Sequence, residues 1–295
     1  MTSTQARPTR EPKRASTHQG LVTSGRGSVF TNILCAVDGT RASTAAVKLA
    51  ASLAGPDGHL TLLAVTAVSG SGAYATAAIS PARVDLVLRN AKRVADRASV
   101  PSTSIADPGG PPVEVILERA IDHDLLAIGA PVSSWVGGML LGSVATIALS
   151  RFTTPMLFAR RPLAGSLRGR LILVASDGDE GSDRVVELAT RLGRSQGAQV
   201  RLVHALRAES KMNPRVIQRQ ARALRLALPD AGEPRIEPGK PGDVILDFVE
   251  DTRAALVVIG SRRLSGVHAF GSVSRRVVHG APCSVLVVPP NQRPG

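Results

Sequence analysis

The sequence predicts an α/β protein of two tandem Rossmann-like units, each an open parallel five-stranded sheet with helices on both faces. The first observation behind this is a repeat. Ile33-Leu34-Cys35-Ala36-Val37-Asp38-Gly39 returns as Leu171-Ile172-Leu173-Val174-Ala175-Ser176-Asp177-Gly178, and Leu126-Ala127-Ile128-Gly129 with Gly142-Ser143-Val144 returns as Val257-Val258-Ile259-Gly260 with Gly271-Ser272-Val273. Gly110-Pro111-Pro112 and Gly239-Lys240-Pro241 lie between these landmarks in the same order. The paired aspartates stand 139 positions apart, a spacing of whole domains rather than solenoid units. Gly129 and Gly260 stand 131 apart, so the first copy carries extra loop residues early on. The second observation is that short apolar runs alternate with segments of helical periodicity. The third is length: 295 residues suffice for two ordinary cores.

The second copy shows the order of elements most plainly. Leu171–Ala175 is an expected buried strand, and the next segment sets Val185, Leu188, Ala189 and Leu192 on one helical face ahead of Gly193, read as its stop. A second strand is expected over 200–205. Asn213-Pro214 supplies an N-cap and first-turn proline for a helix with Ile217, Ala221, Leu224 and Leu228 as its apolar stripe. A third strand near 234–237 leads to a helix opened by Pro241. Strand 256–259, helix 272–279 and strand 284–288 complete the copy. The first copy repeats this with strands at 33–37, 60–65, 103–105, 125–128 and 156–158. Its helices end at Ala54 or start at Pro81, Pro112 and Ser143. Strands alternating with helices through tight glycine turns require a parallel sheet covered on both faces.

The chain thus divides into a basic extension, 1–28, and units 29–164 and 165–295. The extension, rich in Thr, Ser, Arg, Pro and Gly, reads as a disordered solvated tail; a transit peptide shares that composition. The net charge of +13 is unevenly spread, with surpluses of four in 1–29, two in 30–164 and seven in 165–295. One Trp, one Tyr and five Phe offer few platforms for base stacking, which argues against a nucleic-acid partner. Cys35 and Cys283 sit in apolar runs of different copies without a C-x-x-C, as suits a reducing cytoplasm, and the six histidines show no ligand spacing, so no metal site is expected. Leu125 to Ser150 carries no charge and is long enough to span a bilayer. Gly129, Pro131, Gly137, Gly138 and Gly142 interrupt it, and its counterpart contains Arg262, Arg263, His268, Arg275 and Arg276, so strand, loop and helix are expected, and no membrane partner.

In open parallel sheets ligands bind beyond the carboxyl ends of the strands. Asp38-Gly39 and Asp177-Gly178 end the first strand of each copy, and Gly129 and Gly260 end the fourth. Gly142-Ser143 and Gly271-Ser272 each open a helix, whose free N–H groups and dipole suit a phosphate. A serine after glycine is also a common structural cap, but here the combination with aspartate and strand-four glycine recurs in both copies. Lys211, Arg215, Arg219 and Arg222 share one helix face, read as solvated surface, with phosphate-rich partners as the alternative.

From Val29 to Pro290 the chain resembles the universal stress protein family in its tandem-domain form. The resemblance rests on the D-G opening, the G-x-P-x-x-x-I helix start, the strand Asp124 to Gly129, and G-S-V-x-x-x-V-x-x-x-A-P-C-x-V-L-V-V over Gly271 to Val288. The ATP-binding branch of that family uses G-x2-G-x9-G-[S/T]. The resemblance implies Asp38 or Asp177 at the ribose or adenine and the backbone of Val65 or Ala205 facing the base. It implies Gly129, Gly142, Ser143 and Val144, or Gly260, Gly271, Ser272 and Val273, around the phosphates, with Mg accompanying ATP. Both copies depart from the motif. Val132 replaces the middle glycine of the first, and Arg263 that of the second, whose following spacer has seven residues instead of nine. A Cβ there obstructs the approach of backbone to phosphate, while the guanidiniums of Arg262 and Arg263 offer forked contacts.

Three readings stay open. The first is a stress-response protein binding ATP as a regulatory ligand, with slow hydrolysis at most, because the glycine loop holds no obvious general base. The second is a non-nucleotide-binding dimeric scaffold with decayed pockets. The third, an adenylating enzyme, is disfavoured because the segment 176–182 lacks an S-G-G-x-D-S loop. The apolar fifth strands would leave exposed edges unless the two units pack as a pseudo-symmetric pair, and a homodimer of the whole chain is a further candidate.

Overall fold

A computed structural model describes residues 27–66, 79–130, 143–160, 166–206, 214–261 and 271–290. The first half runs β1 (Asn32–Ala36), α1 (Arg41–Ala54), β2 (His59–Val65), α2 (Pro81–Arg97), β3 (Ser102–Asp107), α3 (Pro112–Ala120), β4 (Leu125–Gly129), α4 (Ser143–Arg151) and β5 (Met156–Ala159). The second runs β6 (Leu171–Ala175), a 3₁₀ turn (Glu180–Ser182), α5 (Asp183–Gln196), β7 (Gln199–Leu206), α6 (Pro214–Ala227), β8 (Arg235–Pro238), α7 (Pro241–Thr252), β9 (Leu256–Gly260), α8 (Ser272–Gly280) and β10 (Ser284–Val288). The architecture is α/β, with five strands from each half and helices on both faces.

The two sets of five strands form one ten-stranded sheet, in the order β3-β2-β1-β4-β5-β10-β9-β6-β7-β8. Within each half the pairings are parallel; Ile33 lies opposite Leu60 and Leu125. The halves meet where β10 runs antiparallel to β5, with Val285 opposite Phe158 and Val287 opposite Met156. Both strands are wholly buried, because each covers the other's free hydrogen-bonding edge. The outer edges are polar instead: β3 carries Ser102, Thr103 and Ser104, and β8 ends at Pro238. β3 exceeds the expected three residues because backbone pairing to β2 continues to Val65 opposite Asp107, which an apolar pattern cannot reveal on an exposed edge.

Alternation along the strands builds two cores, one per face. Ile33, Cys35, Leu125 and Ala127 point to the side of α1, α2, α5 and α6. Leu34, Leu126 and Phe158 point to the side of α3, α4, α7 and α8. Both faces being buried is why these strands read as unbroken apolar runs.

Three helices start at the prolines where the sequence places them, and a cap opens α1. Thr40 caps α1 by accepting the Ser43 N–H at 3.1 Å, and Pro81, Pro112 and Pro241 occupy first-turn positions. α5 corrects an expectation, since it runs through Gly193 to Gln196 and stops at the left-handed Gly197 (φ 60°). Gly193 is there for packing: a Cβ on it would lie 2.5 Å from the Val200 Cγ2 and 2.8 Å from the Leu228 Cδ1. The extra residues of the first half fall between β2 and α2, positions 66–80 against 207–213 in the second. The charge-free stretch after Asp124 folds as β4 and α4 around residues outside those described, and among the described residues no helix is long and apolar enough to cross a membrane.

Candidate functional site

The carboxyl end of β1 and the N-terminus of α1 form a compact corner. Gly39 takes a left-handed turn (φ 81°) that returns the chain into α1, and Gly178 does the same after β6 (φ 77°). The Asp38 N–H lies 3.4 Å from the Ser43 Oγ, and its Oδ1 accepts the Thr40 N–H at 2.8 Å. The Asp38 side chain is exposed, with its second carboxylate oxygen available to a donor. Gly129 closes β4 against the same turn of α1, so close that a Cβ on it would lie 2.4 Å from the Ser43 nitrogen. Ser43 thus ties Asp38 and Gly129 together. Val65 ends the neighbouring β2 with its side chain in the α3/α4 core and its carbonyl already accepting the Ile79 N–H at 2.9 Å.

The second half repeats the corner with more polar ties. The Asp177 Oδ1 accepts from the Asp179 N–H at 3.0 Å and from the Ser182 hydroxyl at 2.7 Å. Gly260 is less confined than Gly129; its Cβ would meet only the Val185 Cγ2, at 3.1 Å. Ala205 is the penultimate residue of β7, with its side chain in the core.

Beneath this second corner lies a buried polar cluster that sequence reasoning missed. Ser176, His204 and Gln220 are 6%, 3% and 3% exposed. The Ser176 hydroxyl donates to the Gln220 Oε1 at 2.6 Å, and the Gln220 amide donates to the Asp183 carboxylate at 2.6 Å and to the Asp179 carbonyl at 3.2 Å. The His204 Nδ1 lies 2.8 Å from the Ser176 carbonyl. A carbonyl only accepts, so Nδ1 donates this bond, and Nε2 is buried without a partner among the described residues. The equivalent positions of the first half are apolar. Val37 follows β1 as Ser176 follows β6, Ala64 stands one residue beyond the Ala36 partner as His204 does beyond the Ala175 partner, and Val87 lies six residues past Pro81 as Gln220 does past Pro214. The available signal was His204 breaking an apolar strand and Gln220 occupying the stripe between Ile217 and Leu224.

The phosphate side is described in part. Val132, Gly142, Arg262 and Arg263 lie outside the described residues, as does the side chain of Ser143. Gly271 precedes α8 in an extended conformation (ψ 132°), and the first α-helical hydrogen bond, Arg275 N–H to Gly271 carbonyl, spans 3.2 Å. The N–H groups of Ser272, Val273 and Ser274 therefore precede the helical ladder, the arrangement that receives an anion. Val144 and Val273 turn their side chains onto the core, so only their backbone could serve a ligand.

Two features stand apart from the strand ends. In the basic row, Lys211 lies outside the described residues, and Arg219 pairs with Asp183 at 2.6 Å and reaches Glu180 at 3.8 Å, as a solvated face would. Cys35 and Cys283 are buried thiols whose pKa burial pushes up to about 12.

The universal stress protein family model matches residues 30–160 and again 170–289, almost the whole described chain. The chain belongs to the universal stress protein family. A stretch of it is 31% identical over 134 residues to a universal stress protein encoded in the QAH/OAS sulfhydrylase 3′ region of Thermus aquaticus, covering 40% of this chain and 98% of that protein. Universal stress protein YxiE of Bacillus subtilis is 26% identical over 143 residues, 40% of this chain and 97% of its own length. Each is therefore similar to a single repeat. The crystal structure of a universal stress protein from Archaeoglobus fulgidus superposes on both halves together, with a TM-score of 0.71 at 20% identity, covering 89% of this chain and 98% of that one. That likeness concerns the fold.

Proposed function

We propose that the chain is a stress-response protein whose first half binds ATP, with accompanying Mg, beyond the carboxyl ends of β1 and β4, as a regulatory ligand turned over slowly at most. The observation that carries this reading is the convergence of an exposed aspartate, Asp38, and the strand-closing Gly129 on one turn of α1. Gly129 and Gly142-Ser143 also keep the family spacing. In this reading Asp38 accepts hydrogen bonds from sugar hydroxyls, and Gly142, Ser143 and Val144 present backbone N–H groups to phosphate. The functional units are 29–164 and 165–295 behind the basic extension, held as an internal pair through β5 and β10, in a cytoplasmic protein that also forms homodimers.

The second half supports a different role. Its corner is bound up internally by Ser182 and Gln220, and its spacer before Gly271 is short, which favours a scaffold function there over nucleotide binding. ATP affinity of Asp38→Ala and Asp177→Ala, measured by calorimetry with circular dichroism as a folding check, tests both halves. Asp38→Ala is expected to weaken binding by about 1–3 kcal/mol with the fold intact, and Asp177→Ala to leave it unchanged. Unchanged affinity in both variants, or no nucleotide released when the purified protein is denatured and chromatographed, defeats the ATP reading in favour of the scaffold.

A further inference from the structure

At the opposite, amino ends of the strands the two halves enclose a cleft of about 1100 Å³, at or beyond the upper end of the ~300–1,000 Å³ usual for small-molecule sites. Its walls come from the C-terminal turns of α1, α2 and α5 and from the turn before β6. The Gln196 amide donates to the Ser52 carbonyl at 2.9 Å, and the Ser52 hydroxyl donates to the Gln196 Oε1 at 3.0 Å, so the floor of the cleft is also a seam between the halves. Lys48, Arg97, Arg168 and Arg194 line it, and no carboxylate does among the described residues.

Some of this charge has a local explanation. Arg97 and Arg194 sit in the last turns of α2 and α5, where a cation offsets the helix dipole, and the Arg194 Nε donates to the Ala227 carbonyl at 3.0 Å. Lys48 and Arg168 have no such explanation. Lys48 lies in the body of α1 and Arg168 in the turn before β6, both exposed, and neither side chain meets an acceptor among the described residues. Like charges gathered in one concavity repel, and an anion with several charges along its length relieves all of them at once. The guanidiniums add forked donors that match phosphoryl oxygens.

We propose that this cleft is a ligand site separate from the strand carboxyl ends, and that it takes a small anion carrying a linear chain of phosphoryl groups. Because both halves supply cations, an occupant bridges the seam and stabilises the paired arrangement. Inorganic polyphosphate and a nucleoside polyphosphate present the same chain, and the test below separates these sources.

Calorimetric titration of the full chain with sodium tripolyphosphate, sodium orthophosphate and ATP tests the proposal, using Lys48→Gln/Arg168→Gln and Asp38→Ala/Asp177→Ala as double variants. Tripolyphosphate is expected to bind the native chain at least about 10-fold more tightly than orthophosphate, and the Lys48/Arg168 variant is expected to lose at least about 10-fold of that affinity with an unchanged circular dichroism spectrum. The Asp38/Asp177 variant is expected to bind tripolyphosphate as the native chain does. In that variant, ATP binding abolished by adding the two charge substitutions assigns the cleft to nucleoside polyphosphates as well; binding of tripolyphosphate alone assigns it to the inorganic chain. No heat with tripolyphosphate, no discrimination from orthophosphate, full affinity in the Lys48/Arg168 variant, or equal loss in the Asp38/Asp177 variant overturns the proposal.

Discussion

Substituting the strand-closing glycines separates packing from ligand binding. A Cβ at Gly129 would lie 2.4 Å from the Ser43 nitrogen, 2.5 Å from the Ala42 carbonyl carbon and 2.9 Å from the Ala42 oxygen. All three are backbone atoms of the first turn of α1, so no rotamer change gives relief. Restoring ordinary contact requires the helix to move by about 1 Å, against ten buried residues that lock it to the sheet. Overpacking typically costs ~1–3 kcal/mol, and a collision with rigid backbone puts Gly129→Ala at about 3 kcal/mol. Gly260→Ala meets only the Val185 Cγ2 at 3.1 Å, a methyl able to yield by a few tenths of an ångström. The ~0.4–1 kcal/mol gained by restricting the unfolded chain offsets that, for a net effect within about 1 kcal/mol. Equilibrium urea unfolding followed by circular dichroism measures the difference, expected at about 2–3 kcal/mol, with a melting temperature depressed by roughly 6–12 °C in Gly129→Ala. Equal stability of the two variants would refute the argument. A stable Gly129→Ala protein that loses ATP binding would place the glycine's importance in the ligand and not in packing.

The buried cluster makes a prediction of its own. Gln220→Val leaves the Ser176 hydroxyl without its acceptor and should cost about 1–3 kcal/mol, whereas Ser176→Val/His204→Ala/Gln220→Val, which copies Val37, Ala64 and Val87, should recover most of that loss. Simple addition of three destabilisations in the urea midpoints would show that the side chains do not act as a unit. Cys35 and Cys283 should resist iodoacetamide at pH 8 in the native chain and react fully in denaturant, as read by intact mass, because burial keeps both protonated. Rapid native labelling of either would contradict their burial. Since the folded thiols hold their protons up to about 12 and unfolded ones ionise near 9.0, their contribution to stability is complete below pH 9 and is lost as pH rises from there toward 12.

The strands were legible because burial on both faces forces continuous apolar runs such as Ile33 to Val37 and Leu256 to Ile259, which local composition reveals directly. Helix starts were legible where a proline carries the signal in place, as at Pro81, Pro112 and Pro241. Gly193 misled because a glycine admitted for close packing against Val200 looks the same, in one dimension, as a glycine that ends a helix. Of the candidate site, Asp38, Gly129, Asp177 and Gly260 were visible from the repeat. Ser176, His204 and Gln220 were not, because their meaning lies in three replacements on three elements that only the register of β6 with β7 and the packing of α6 bring together.

The sequence by itself determined that this chain is two copies of one α/β unit, each presenting an aspartate and a glycine at the ends of its first and fourth strands, since repeats and apolar periodicity are properties of neighbours along the chain. The tertiary structure decided how the copies combine. Antiparallel union of β5 and β10 turns ten strands into one sheet and brings Ser52 against Gln196, 144 positions away. That union gathers Lys48, Arg97, Arg168 and Arg194 around one cleft, although nothing in the spacing of those four residues relates them. Charges so far apart in sequence acquire a common field only when the backbone between them has been folded.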